Sequence, residues 1–213
     1  MQQFMQYVIS GLATGSIYAL VALGLALIYR STRILNFAHG DMATAGTFVA
    51  FSLLGMNLAP IISFPLAILS GSALAMLFYF AILVPAQRRN ATPLGQIILT
   101  LGLGLILQGL ISYLWGTDTK TLTFPLSDTK LWRFQGVVIS ELGLGTFVIG
   151  LLGSGLLYLL VQKTRLGIAM RATSENLPAA QTLGIPTRRI LALSWGLAAG
   201  LSVLAGLFLA PAL

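Results

Sequence analysis

Residues 30–46, RSTRILNFAHGDMATAG, interrupt a chain that otherwise reads as one apolar run after another. The stretch holds the sole histidine, His39, two positions before Asp41 and flanked by Asn36, Gly40 and Gly46. It is either a proton-handling or metal site inside a membrane, or a joint between two helices. The residues around it decide which.

Those surroundings are strongly apolar. Of 213 residues, 57% are hydrophobic and 8% charged, and the mean hydropathy is +0.92. Soluble domains carry about 25% charged residues, so the composition points to an integral membrane protein of one compact bundle. At about 1.5 Å of rise per residue, roughly 20 apolar residues cross a hydrocarbon core of about 30 Å. Six runs meet that length, and the fold class expected is an all-α polytopic transmembrane bundle. The spans read as 6–29, 41–59, 61–85, 91–116, 143–162 and 190–211. The first 30 residues lack a basic leader region and read as a retained spanning helix rather than a cleaved signal.

Charge gives the direction. Arg30 and Arg33 follow the first span, Arg88 and Arg89 the third, and Lys163, Arg165, Arg171, Arg188 and Arg189 the fifth, the last group against Glu175 alone. The loop 117–136 is balanced, with Lys120, Lys130 and Arg133 set against Asp118 and Asp128 and Glu141 just beyond. The positive-inside rule then puts the three basic loops in the cytoplasm and the N-terminus outside. The net charge of +7 belongs to these loops and implies no nucleic-acid partner.

Several chemistries are excluded. The chain has no cysteine, hence no disulfide or thiolate metal site. One histidine cannot build a multi-histidine metal centre, and no phosphate-cradling GxxxxGK[ST] occurs. No catalytic residue, cofactor or metal is expected. The middles of the six spans read as free of Asp, Glu, Lys and Arg, which weighs against a proton-coupled transporter.

Three local features remain. GLATG (11–15), GLAAG (196–200) and the row Ser194, Ala198, Ser202, Gly206, Ala210 carry small residues at helix-contact spacing, as close helix packing in membranes requires. In the fourth span Gln96, Thr100, Gly104, Gln108 and Ser112 recur every four residues. Such a row drifts about 40° per step on a 3.6-residue helix, so Gln96, Thr100 and Gln108 either line a path or hydrogen-bond neighbouring helices. In the basic loop 163–189, Ser174 or Asn176 caps a short helix, Leu177 to Leu183, and Gly184 with Pro186 ends it. A helix that short is marginal in water and needs a surface to lie on.

The residues GLATGSIYALVALGLALIYRSTRILNFAHGDMATAGTFVA and RATSENLPAAQTLGI resemble the permease subunits of bacterial branched-chain amino acid ABC importers, of the LivH-like type, over essentially the whole chain. That resemblance implies a passive subunit of the inner membrane. It would work with a second permease, two cytoplasmic ATPases and an external solute-binding protein. Glu175, Asn176, Ala179, Ala180 and Gly184 would then form the segment that couples to an ATPase. Relatives continue through further helices beyond the point matching Leu213, so a C-terminally truncated chain is expected. Permeases for urea and short amides share the architecture and stay open as an alternative, as does a stand-alone secondary transporter or channel.

Asn36, His39, Gly40 and Asp41 read as a joint on the cytoplasmic side that moves during gating. Asp41 would anchor the start of the second span, and His39 would be a hydrogen-bonded joint residue or a pH sensor.

Overall fold

The computed structural model describes residues 2–122, 124–126, 131–134 and 137–212. Asp128, Lys130 and Leu213, used in the reading above, lie outside them. Helix α1 (Gln2–Thr32) is followed by an irregular stretch, 33–38, and the shorter α2 (His39–Gly55). Next comes α3 (Pro60–Phe78), which runs through a π turn, Tyr79–Leu83, into α4 (Val84–Arg88). α5 (Pro93–Trp115) leads to a hairpin of β1 (Leu131–Phe134) and β2 (Val137–Ser140). The chain closes with α6 (Glu141–Lys163), α7 (Arg165–Glu175), α8 (Leu177–Thr182) and α9 (Thr187–Leu209).

Side-chain caps fix where α5, α6, α7 and α8 begin. Thr92 accepts from Gly95 N, Ser140 from Gly143 N, Thr164 from Gly167 N and Asn176 from Ala179 N. Each satisfies a backbone donor that the first turn leaves free. α2 has none: its first flanking residue, Ala38, offers no side-chain cap.

The bundle is wrapped around α9, which packs against α1, α2 and α3. Small residues make this possible. A methyl added at Gly196 would lie 2.9 Å from Met76, and one at Gly200 2.8 Å from the Ser72 hydroxyl. Gly46 and Gly71 both seat the side chain of Val203. GLAAG is therefore a packing motif, whereas GLATG is not one within this chain. Gly11 and Gly15 face open space because no element lies over that side of α1.

Two apolar clusters result. One gathers around Trp195, with Phe78 at 5.8 Å and Tyr79 at 6.3 Å between ring centroids. The other surrounds Val203 and Phe208 and is roofed by Phe124, which stacks on Phe64 at 5.3 Å. The two ends of the bundle differ chemically. Arg33, Arg88, Arg89, Lys163, Arg188 and Arg189 sit at one, and the hairpin at the other. The hairpin is docked by Gln6, whose amide donates to Val138 O at 2.7 Å and accepts from Val138 N at 2.9 Å.

Five helical segments are long and apolar enough to cross a membrane, and they coincide with five of the expected spans. The second expected span, 41–59, is different. α2 has 17 residues and stops at Gly55, about 25 Å of helix. The rest of that passage is made by the irregular stretch 33–38.

Candidate functional site

The first helix ends in a left-handed residue, Arg33 at φ 59°, which turns the chain back into the bundle. Six residues, 33–38, separate α1 from α2, and extended they reach about 20 Å. His39, the first residue of α2, lies with Nε2 3.2 Å from Val21 O. Val21 is eleven residues (32 − 21) before the end of α1 at Thr32, about 16 Å back along the helix.

His39 O accepts from Ser202 Oγ at 2.9 Å. A methyl at Gly24 would lie 2.9 Å from both the His39 ring and Ala198 O, and Ala198 is the midpoint of α9. α2 therefore begins near mid-depth, not at the basic end of the bundle. This corrects the expectation of a joint on the cytoplasmic side.

The irregular backbone is satisfied locally. Asn36 Oδ1 accepts from Ala38 N at 3.1 Å, closing a turn that replaces the missing cap. Phe37 N donates to Thr100 Oγ1 at 3.2 Å. The Thr100 hydroxyl hydrogen goes to Ile97 O at 2.7 Å or Leu35 O at 3.3 Å. Asn36, Ala38, His39 and Thr100 are all buried. Because Val21 O can only accept, the His39 proton sits on Nε2. Nδ1 is buried and meets no partner among the described residues.

Asp41 follows two residues on, in the first turn of α2. Its Oδ1 accepts from Gln108 Nε2 at 2.9 Å, and a methyl at Gly104 would lie 2.6 Å from its Oδ2. Gly104 is the midpoint of α5. A carboxylate thus stands at mid-depth, contrary to the reading that no ionisable group does. Sequence spacing placed Asp41 at the edge of a span because it assumed that helix and membrane begin together.

The three polar candidates of α5 separate. Thr100 and Gln108 hold the irregular stretch and α2. Gln96 donates to Ala91 O at 3.0 Å and accepts from Gln87 Nε2 of α4 at 3.0 Å, nearer the basic end.

Gly40 and Thr44 of α2 are exposed, and Asp41 beside them is partly so. Gly40 and Thr44 line a cavity of about 520 Å³ between α1, α2 and α9, and Asp41 is their neighbour on the helix. Its walls include Tyr18, Val21, Thr47 and Phe48, and Lys120 stands among its lining residues. No motif in the sequence signalled these lining residues.

The coupling candidates lie at the basic end. Asn176 caps α8 and Gly184 ends it at φ 78°. Ahead of it stands an unanticipated amphipathic helix, α7, which packs on α6, α9 and α1 and ends at Glu175. Ala179 is exposed, but Ala180 is only 2% exposed. Ala180 therefore packs into its own chain. The free apolar surface there belongs to Leu177 and to Leu183, the latter 80% exposed.

Comparison with known proteins matches this arrangement to one family. The sequence profile of the branched-chain amino acid transport system permease component matches residues 7–213. The chain belongs to that family. It is 37% identical over 199 residues to the probable branched-chain amino acid transport permease protein LivH of Methanocaldococcus jannaschii, covering 90% of this chain and 61% of that protein. It is 30% identical over 220 residues to the high-affinity branched-chain amino acid transport system permease protein BraD of Pseudomonas aeruginosa, covering 97% and 70%. Over 222 residues it is 28% identical to the corresponding LivH of Escherichia coli, again covering 97% and 70%. This family member thus spans about three-fifths to seven-tenths of the length of those relatives. No solved structure matches it.

Proposed function

We propose that this chain forms the transmembrane path of an ATP-driven importer for branched-chain amino acids. It sits in the inner (plasma) membrane with its basic end in the cytoplasm and its N-terminus outside. Arg30, Arg33, Arg88, Arg89, Lys163, Arg165, Arg188 and Arg189 lie at or near that end, the distribution the positive-inside rule favours. ATP hydrolysis falls to separate cytoplasmic ATPase subunits, with a second permease and an external binding protein completing the machine. The names of the relatives support the cargo.

The observation that carries the reading is the broken second passage. Non-helical backbone at membrane depth is tolerated only where it is buried in protein or lines a water-filled cavity. Here residues 34–38 are held by Thr100 and Asn36, and α2 presents Gly40 and Thr44 to an open cavity, with Asp41 next to them on the helix. Transporters that use discontinuous helices place their sites at such breaks. On this reading α8 docks on an ATPase through Leu177, Ala179 and Leu183, while Ala180 ties it to the bundle.

Uptake of labelled leucine by proteoliposomes containing the assembled transporter tests the proposal. Uptake should require ATP on the cytoplasmic side and the binding protein on the other. Uptake of urea or a short amide in place of leucine would select the alternative cargo. Leucine flux by this chain without an ATPase would replace the importer with a stand-alone carrier.

A further inference from the structure

We infer that Asp41 is the ammonium-recognition residue of the path, and that the adjoining cavity between α1 and α2 receives the aliphatic side chain of the same amino acid. The inference rests on the importer reading and adds the residue and cavity that would contact the cargo.

Three observations on α2 converge. First, the carboxylate stands level with the midpoint of α5 and is partly exposed. Ionised groups at that depth are expensive unless they are paired or reached by water. Second, its recorded polar contact is a neutral amide, Gln108. Among the described residues no cation is recorded within ion-pair distance of it; Lys120, which lines the neighbouring cavity, pairs with Asp118 at the hairpin end. The amide orients the carboxylate and leaves its charge uncompensated. Third, Asp41 and Thr44 are three residues apart and so are neighbours on the helix surface. Thr44 lines the 520 Å³ cavity, whose other walls are largely apolar (Ile17, Val21, Ala43, Phe48 and Leu209), with Lys120 the charged residue of the lining.

An α-amino acid with a branched aliphatic side chain supplies both complements, a cation for Asp41 and a methyl-rich group for the cavity. A neutral amide such as urea supplies neither. The carboxylate thus favours amino acids over amides on the same framework.

The test is binding of labelled leucine to the transporter assembled from native subunits, purified without its external binding protein. Competitors are leucine and 2-hydroxy-4-methylpentanoate, which lacks the ammonium. The native complex should prefer leucine by about tenfold or more, the scale expected when one partner of a charge pair is removed. Asp41→Asn should erase that preference by weakening leucine while leaving the hydroxy acid unchanged. Asp41→Glu should restore most of it, which separates recognition from misfolding. Co-purification of the ATPase subunits reports assembly of each variant.

Unchanged preference in an assembled Asp41→Asn complex would overturn the inference and leave the importer reading intact. A sodium requirement for leucine binding in the native complex that Asp41→Asn removes, with the preference unchanged, would also overturn it, by making Asp41 an inorganic-cation site. Absence of leucine binding to the native complex, with urea or an amide bound instead, would overturn the importer reading and the inference together.

Discussion

At the scale of single residues, close contacts at mid-depth matter more than polarity. Gly24 is required because its missing side chain lets the His39 ring approach α1 and Ala198 O. Gly24→Ala should lower the thermal stability of the purified chain by about 1–3 kcal/mol, the usual scale of overpacking. Gly11→Ala, on the same helix with open space around it, should be neutral within about 0.5 kcal/mol. Melting both variants in detergent checks the contrast. Replacing Asn36 by Ala removes the turn that stands in for the α2 cap. It should be destabilising by about 1–2 kcal/mol, read in the same assay. Asn36 and His39 were noticeable as polar residues in an apolar chain. That Asp41 sits at mid-depth was not, because depth is a tertiary property that neighbouring helices define.

At the scale of elements, the long helices were legible since apolar length is a local signal, and five coincide with helices of membrane-crossing length. The cap of α8 is legible as Asn176 just before Leu177 and Pro178, with Gly184 closing the helix. Elements that depend on distant partners escaped. The hairpin strands have four residues each, too few for a periodic signal, and Gln6 from the other end of the chain secures them. α7 mixes charges with a narrow apolar face, so it looked like loop until α6, α9 and α1 were in place.

The short loop helix yields a sharp test. Leu183→Glu and Ala179→Glu alter exposed surface and should abolish co-purification of an ATPase while leaving the melting temperature within a few degrees. Ala180→Glu buries a charge and should instead lower stability by more than about 3 kcal/mol. Loss of the ATPase only when the fold is also lost would remove α8 from the interface.

At the scale of the whole molecule, the absence of cysteine makes single-cysteine labelling clean. Leu183→Cys at the basic end and Trp132→Cys on the hairpin, both exposed, should react with an impermeant thiol reagent from opposite sides of sealed vesicles. In right-side-out vesicles Trp132→Cys labels and Leu183→Cys does not. Labelling of both from one side would refute the topology.

The central claim is that α2 begins at mid-depth beside a solvated path. Thr44→Cys, on the exposed strip of α2, and Leu152→Cys, exposed at the midpoint of α6, test it most directly. Both should be exposed to a charged methanethiosulfonate reagent in the assembled transporter. Rapid modification of Thr44→Cys, slowed by leucine, with Leu152→Cys inert is the predicted result. Inertness of both, or equal reaction of both, would contradict a solvated break in the second passage.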